Sequence, residues 1–313
     1  MTRDLSRRHW LVSALAAPGL AATTPNAKLP VCAFSKHFQW TGVKEAAQLA
    51  ASIGYDALDL TVRKDGHVEP ERVADDLPKA VEHIRAAGLT APMITAGIID
   101  ISSPHAEAIL RTAKSLGIQR YRWGGFRYDT SKTIPQQIAE LRAKAKDLAA
   151  MNRTHGMCAM YHTHSGTGQF GASMWDIWEV LRDLDNNSVS VNLDIGHATV
   201  EGGAGGWINT TRLLGPMIRG VAVKDFRWER NAQGKWFIRW CGFGDGMVNF
   251  RGFLSMLREM RFEGPLQLHM EYDELGGADS GKRSMSISRE EFFRMMKRDL
   301  DRFRGLLRET GLL

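Results

Sequence analysis

The 313-residue sequence has few cysteines and no long apolar run. Its three cysteines, Cys32, Cys158 and Cys241, are odd in number and scattered along the chain. Such a set excludes a disulfide framework and a cysteine-based zinc cluster, so these residues are expected to be small core side chains. Without a run of about 18 apolar residues, no stable membrane insertion is expected either.

The sequence also lacks a basic stripe with interleaved aromatic residues. It carries 41 Lys and Arg against 35 Asp and Glu, a modest net charge of +6. A nucleic acid is therefore not expected as a partner. The hydrophobic content of 43% and charged content of 24% are instead typical of a globular protein with a sizeable core.

The first 27 residues have the layout of an export signal. Arg7 and Arg8 precede an apolar stretch at 12–22 that is rich in small residues. This segment resembles a twin-arginine signal, which exports folded proteins, so residues 1–27 are predicted to be an export signal and the protein periplasmic. Cleavage is expected between residues 21 and 27. The alternative is a basic helix at the start of a cytosolic enzyme.

Short apolar runs then alternate with segments of helical periodicity. Strands are predicted at 31–35, 57–62, 91–96, 118–123, 157–161, 189–193, 218–223 and 265–270. Helices are predicted at 43–53, 72–87, 105–116, 134–155, 174–185, 207–214, 250–260 and 289–307. This alternation predicts an α/β fold with parallel strands, a single (β/α)8 TIM barrel over residues 28–313. An open doubly wound sheet is the alternative, but no glycine-rich phosphate fingerprint follows the first strand.

Two histidines end the fifth predicted strand. Residues 157–161 are small or apolar, and His162 and His164 follow before the Ser-Gly-Thr-Gly segment at 165–168. Residues two apart on a strand point the same way, so the two imidazoles can share one face. The pair suits a metal or an acid/base role; alternatively, the histidines cap the strand by hydrogen bonding.

Further polar residues follow other predicted strands, where the reactive groups of such barrels lie. Those of interest are Lys36, Arg63, His67, Trp123, Asp194, His197, Lys224 and Glu271. His162, Asp194 and Glu271 offer an imidazole and two carboxylates, which suit Mn²⁺, Zn²⁺, Fe²⁺ or Mg²⁺. His164 or His269 is expected either to be a further ligand or to orient the ligands from outside the metal's coordination sphere. Alternatively, Asp194 and Glu271 only form salt bridges at the barrel mouth.

Five segments resemble one superfamily, the xylose-isomerase-like barrels of sugar phosphate isomerases and epimerases. They are Tyr-His-Thr-His-Ser-Gly at 161–166, Leu-Asp-Ile-Gly-His-Ala at 193–198, Val-Ala-Val-Lys-Asp-Phe at 221–226, Gly-Phe-Gly-Asp-Gly-Met-Val-Asn-Phe at 242–250 and Gly-Pro-Leu-Gln-Leu-His-Met-Glu at 264–271. The resemblance implies a divalent metal held by His162, Asp194 and Glu271, with His197 facing the substrate. Ala222 stands where the family usually has a histidine. His162 replaces the usual carboxylate, which is similar to the inosose-dehydratase-like branch.

The resemblance implies an isomerase or epimerase that abstracts a proton next to a carbonyl of a sugar or keto-sugar. Glu271 is the expected base, and His197 or Lys224 is its acidic partner. Because position 162 is not a carboxylate, a single base also fits β-elimination by a lyase, dehydratase or deglycosidase. The residues expected to bind the substrate are Lys36, Arg63, His67, Trp123, His197 and Lys224.

Two other classes of function remain as alternatives. A non-catalytic periplasmic sugar-binding protein on the same barrel is favoured by the missing histidine at Ala222. An endonuclease requires a trinuclear metal cluster and a basic face. The sequence offers too few metal ligands for such a cluster, and its positive charge is modest. The expected partner is a small carbohydrate, and a homo-oligomer is one candidate assembly, although the sequence does not determine the oligomeric state.

Overall fold

The computed structural model describes residues 29–313, so the predicted export signal at 1–27 lies outside the described residues. Within 29–313, eight parallel strands close into one barrel. They are β1 (Val31–Phe34), β2 (Ala57–Val62), β3 (Met93–Ala96), β4 (Arg120–Trp123), β5 (Cys158–His162), β6 (Val189–Asp194), β7 (Ile218–Val223) and β10 (Leu266–Leu268). Each strand pairs with its neighbour along the chain, except that β10 follows β7 and then closes on β1. The predicted TIM barrel is thereby confirmed.

Helices cover the outside of this barrel. They are α1 (Val43–Ile53), α2 (Val73–Ala86), α3 (Ala106–Ser115), α4 (Ile134–His155), α5 (Trp175–Leu181), α6 (Ile195–Gly202), α7 (Gly206–Leu214), α8 (Phe250–Glu259) and α9 (Arg289–Glu309). The apolar stripe of α9 is buried against the barrel, including Phe292, Leu300 and Phe303. Among residues 29–313, no helix is both long and apolar enough to cross a bilayer.

Two elements were not predicted from the sequence. Helix α6 starts directly at the end of β6, where the Asp194 side chain accepts a hydrogen bond from the backbone N–H of His197. An antiparallel hairpin, β8 (Asp225–Arg230) and β9 (Trp236–Cys241), follows β7 and stands outside the barrel sheet. In addition, α5 ends at Leu181, four residues earlier than predicted.

Alternate residues of the strands fill the barrel interior. Met93, Cys158 and Met160 form a small buried cluster of their own. Next to this cluster, Asn192 and Gln267 exchange two amide hydrogen bonds of 3.0 and 2.9 Å. These side chains fill the interior of the barrel below the polar groups at the carboxyl ends of the strands.

Candidate active site at the carboxyl ends of the strands

Three potential metal ligands converge at the carboxyl ends of the strands. Ligand atoms of His162, Asp194 and His269 all lie within 4.8 Å of one another, and all three residues are buried. In the described part of the chain, Oδ2 of Asp194 and both ring nitrogens of His269 have no hydrogen-bond partner. Leaving such atoms unpaired costs about 1–3 kcal/mol each. A bound cation would satisfy them, so the donor set fits a metal ion.

Surrounding groups hold these three side chains in place. Nδ1 of His162 lies 3.1 Å from the Asn192 amide nitrogen, which leaves Nε2 of His162 directed toward Asp194. The imidazole of His269 stacks on the Phe34 ring with 4.6 Å between centroids. The donors are therefore oriented by the protein itself, as in preorganised metal sites.

Burial sets the ionisation of the three donors. Burial lowers the pKa of His162 and of His269 well below the usual histidine value, and Arg122 adds to the effect on His162. Both imidazoles are therefore neutral. His269 has a free lone pair, and His162 offers its Nε2 lone pair to an ion when the Asn192 amide presents its oxygen, not its nitrogen, to Nδ1. Burial raises the pKa of Asp194 to about 6, against the opposing effect of Lys224. Two imidazoles and one carboxylate suit Zn²⁺, Mn²⁺ or Fe²⁺ better than Mg²⁺, which prefers oxygen ligands.

Glu271, predicted as a metal ligand, lies beside this group and is bonded to two lysines. Its Oε1 accepts from Lys36 Nζ at 2.5 Å and its Oε2 from Lys224 Nζ at 2.6 Å. Burial raises the pKa of Glu271, but Lys224 and Lys36 outweigh it, so the pKa ends well below its usual value. Lys224 also lies 3.4 Å from Asp194. Glu271 is therefore an ionised, lysine-bound carboxylate, as in the salt-bridge alternative, and is not among the three convergent donors.

The other two predicted histidines line the same space. His164 Nε2 is 3.1 Å from the Arg122 guanidinium, so it is already engaged. His197 shares a 2.7 Å hydrogen bond with the Ser165 hydroxyl through Nδ1, while its Nε2 is buried without a partner among the described residues. His197 thus remains free to contact a substrate hydroxyl, whereas His164 does not join the convergent donors.

The predicted substrate-binding residues divide into two groups. Lys36 and Arg63 flank the Phe34 ring, with Nζ and Cζ at 5.4 and 5.9 Å from its centroid. His67 is half-buried and its Nδ1 lies 3.3 Å from the Thr61 hydroxyl.

Trp123 does not lie with these residues. Its ring packs edge-on against Tyr161 at 5.2 Å, and its indole N–H donates to the backbone oxygen of Ile99. Trp123, predicted as a substrate-binding residue, therefore lies in an aromatic cluster with Phe126 and Tyr161. Its neighbour Arg122 lies in the site instead, because adjacent residues of a strand face opposite sides.

Sequence reasoning missed two site residues, Arg122 and Trp240. The Cζ atom of Arg122 lies 5.8 Å from the Phe34 centroid. Trp240 is carried by the hairpin, and its ring lies 4.6 Å from Lys224 Nζ and 5.0 Å from the His197 ring. Strand alternation would have identified Arg122, whereas Trp240 is far in the sequence from the carboxyl end of any barrel strand.

Asp225, which follows Lys224, has a structural role. Its carboxylate accepts hydrogen bonds from the backbone N–H groups of Phe226, Gly244, Gly246 and Val248. These bonds fix the 244–248 loop against the base of the hairpin. Because Trp240 lies on that hairpin, Asp225 positions one wall of the site.

Several solved structures share this fold. A xylose isomerase-like TIM barrel protein from Mycobacterium smegmatis, in complex with magnesium, is 16% identical and has a TM-score of 0.63, covering 87% of this chain and 98% of that chain. A D-allulose 3-epimerase from Methylomonas sp., in complex with D-allulose, is 14% identical, with a TM-score of 0.62 and coverages of 89% and 97%. The IolI protein with a bound zinc atom is 12% identical, with a TM-score of 0.66 and coverages of 90% and 98%. At these identities the likeness shows the fold.

The family follows from the sequence match. No curated protein matches the chain. Residues 47–291, however, match the family model described as xylose isomerase-like TIM barrel. This segment contains the barrel strands that carry His162, Asp194, His269 and Glu271. The chain therefore belongs to the xylose isomerase-like TIM barrel family.

Proposed function

We propose that the protein is a divalent-metal-dependent enzyme that abstracts a proton next to a carbonyl group of a sugar or keto-sugar. The observation that carries this proposal is that buried atoms of Asp194 and His269, which have no hydrogen-bond partner among the described residues, converge with His162 beside the ionised Glu271. A metal held by these three residues would supply Lewis-acid polarisation of the substrate carbonyl. The D-allulose 3-epimerase in complex with D-allulose shares this fold, which supports a sugar as the substrate.

Glu271 is the proposed base. Its side chain is 25% exposed, whereas Asp194 is fully buried, so Glu271 is the carboxylate that a substrate can reach. Its lowered pKa keeps it ionised at neutral pH but makes it a weak base. It therefore suits a carbon acid that is already activated, such as a C–H next to a carbonyl.

Lys224 is the proposed acidic partner. Its ammonium contacts Glu271 at 2.6 Å and lies 3.4 Å from Asp194. A cation in this position can stabilise negative charge that develops on a substrate oxygen, or donate a proton to a leaving oxygen. His197, with its unpartnered Nε2, is proposed to bind a substrate hydroxyl.

A lyase reaction is the second candidate. Epimerisation by two-faced proton transfer needs a second base, and position 162 carries an imidazole with a lowered pKa in place of a carboxylate. A single carboxylate next to a lysine fits β-elimination or aldose–ketose isomerisation. We propose further that these reactions take place in the periplasm, on account of the arginine pair at Arg7 and Arg8.

The test is proton exchange in deuterated water. Metal-loaded protein is incubated with free ketoses and keto-sugars, and NMR records deuterium at the carbon next to the carbonyl and any elimination product. Glu271→Gln is expected to lower the exchange rate about 10²- to 10⁴-fold without loss of the fold. Glu274→Gln, an exposed residue of the next turn, is the matched control and should exchange at the wild-type rate.

Two results would contradict the proposal. Full activity in Glu271→Gln would remove it as the base. Sugar binding by the wild-type protein with no exchange or elimination on any ligand would favour the non-catalytic sugar-binding protein.

A further inference from the structure

The site contains more positive than negative side chains. The cations are Lys36, Arg63, Arg122 and Lys224, and the carboxylates are Asp59, Asp194 and Glu271. A divalent ion would add two further positive charges. A sugar without charge does not balance this excess, so the substrate itself is expected to carry negative charge.

The excess positive charge lies on two arginines, Arg63 and Arg122. Glu271 binds Lys36 and Lys224, so both lysines have a direct carboxylate partner. Within residues 29–313, the Arg63 side chain has neither a hydrogen bond nor an ion pair, and the Arg122 guanidinium donates only to His164. Because a half-buried cation without a carboxylate partner is costly, two of them next to a catalytic group indicate that the site binds an anion.

The one carboxylate near the arginines does not replace that anion. Asp59 is fully buried and accepts its hydrogen bonds from the Thr95 hydroxyl, not from a guanidinium. Burial also raises the pKa of Asp59 to about 7, so near neutral pH it is only partly charged.

The two guanidinium groups lie beside one aromatic ring. Their Cζ atoms are 5.8 and 5.9 Å from the centroid of Phe34, whose ring also stacks on His269. Phe34 therefore joins the arginines to the candidate metal centre. An anionic group bound by the arginines would be attached to the same small molecule that reaches this centre.

We propose that Arg63 and Arg122 bind a carboxylate of the substrate, so that the substrate is a sugar acid. Planar guanidinium groups pair with carboxylates through parallel hydrogen bonds. A carboxylate is favoured over a phosphate because the glycine-rich loop that follows β5 already uses the backbone N–H groups of Gly166 and Gly171 in hydrogen bonds to Glu201 and Asp176. This inference rests on the proposed function, since it names the substrate class of the same site.

The test is a comparison of three ligands of one hexose: the neutral sugar, its uronic acid and its 6-phosphate. Binding to the Zn²⁺-loaded protein is measured by titration calorimetry or ligand-observed NMR, without reliance on turnover. The wild-type protein is expected to bind the uronic acid about 10- to 100-fold more tightly than the neutral sugar, as for a charged hydrogen-bonded pair.

Arg63→Gln is the informative variant, because the Arg63 side chain has no hydrogen bond or ion pair to lose within 29–313. It is expected to abolish most of the preference for the uronic acid over the neutral sugar, while the melting temperature stays within error. Arg127→Gln, an exposed arginine of the loop after β4, is the matched control and should keep the preference.

Each outcome has one meaning. Equal binding of the acid and the neutral sugar, or an unchanged preference in Arg63→Gln, overturns the carboxylate site and leaves the proposed function intact. Tighter binding of the phosphate than of the uronic acid also overturns it. If Zn²⁺ binds but none of the three sugars does, the proposed function fails together with this inference.

Discussion

Oδ2 of Asp194 lies 3.7 Å from Nε2 of His162. This is beyond hydrogen-bond distance, yet both atoms are buried. Two ligands placed about 2.1 Å from one tetrahedral ion are roughly 3.4 Å apart, which is close to the observed separation. The geometry therefore resembles two ligands of a shared ion more than an ion pair, and it leads to the first prediction.

The identity of the third ligand can be tested with two histidines. His269→Gln is expected to lower the Zn²⁺ affinity about 100-fold or more, because Nδ1 of His269 lies 4.0 Å from Asp194 Oδ2. His164→Gln should change the affinity only a few-fold, because His164 Nε2 is bound by Arg122. Competition with a fluorescent chelator measures both. The reverse order of effects would replace His269 by His164 in the ligand set.

The amide pair below the site should influence both stability and metal binding. In Gln267→Leu, the buried Asn192 amide loses both of its hydrogen bonds to Gln267. The free energy of unfolding is expected to fall by about 1–3 kcal/mol. Because Asn192 also contacts His162, Zn²⁺ affinity should fall about 10-fold or more. Urea denaturation and metal titration measure the two effects. Gln233→Leu, exposed in the hairpin turn, is the control that should leave both unchanged.

A buried histidine should make the fold sensitive to acid. His37 Nδ1 lies 3.1 Å from the Ala278 oxygen, and its Nε2 accepts from the N–H of Met270. Burial, with Lys36 nearby, lowers the pKa of His37 to about 3. The unfolded chain, with a histidine pKa of about 6.5, binds more protons over the range between the two pKa values. Stability conferred by neutral His37 is therefore lost as the pH falls from about 6.5 toward 3.

His37→Gln removes this titrating group while keeping a donor and an acceptor. Between pH 7 and pH 5, the wild-type free energy of unfolding should fall by about 1–2 kcal/mol more than that of the variant. Urea denaturation at several pH values measures the slope. His105→Gln, at an exposed position, should keep the wild-type slope, and a wild-type slope in His37→Gln would contradict the assignment.

Asp225 should matter more for stability than a neighbouring surface aspartate. Asp225→Ala leaves four backbone N–H groups without their acceptor, and the loss is expected to be about 3 kcal/mol or more. Asp245→Ala removes exposed ion pairs with Arg298 and Arg302 and should cost less than about 1 kcal/mol. Thermal denaturation compares them. Equal losses would mean that the 244–248 loop does not depend on Asp225.

The barrel could be predicted because its signals are local. Apolar strands and helices that end in glycine, such as Gly54 and Gly156 in the left-handed conformation, recur along the chain. The hairpin was missed because it interrupts this alternation after β7. The strand β8 is largely polar, and the apolar run of β9 at Trp236–Ile238 is not buried, so the hairpin does not show the buried apolar runs of the barrel strands.

The site was predicted in part, for a physical reason. His269 and Glu271 both follow the last barrel strand and are two residues apart, so the sequence does not show which is the donor. The choice depends on Lys36 and Lys224, which are far from Glu271 in the sequence but follow the two strands that flank β10 in the barrel, and which bind Glu271. Likewise, Arg122 and Trp123 are adjacent on β4 and point to opposite sides of the strand. An error of one residue in the predicted strand position therefore changes which of the two is predicted to face the site.

The filled interior of the barrel has a kinetic consequence. Because Met160, Asn192 and Gln267 occupy the space behind His162, an ion held there can be exchanged only from the side where a ligand would also arrive. A bound sugar should then block the exit of the metal ion. Extraction of zinc by a chelator such as EDTA is accordingly expected to slow as ligand concentration rises.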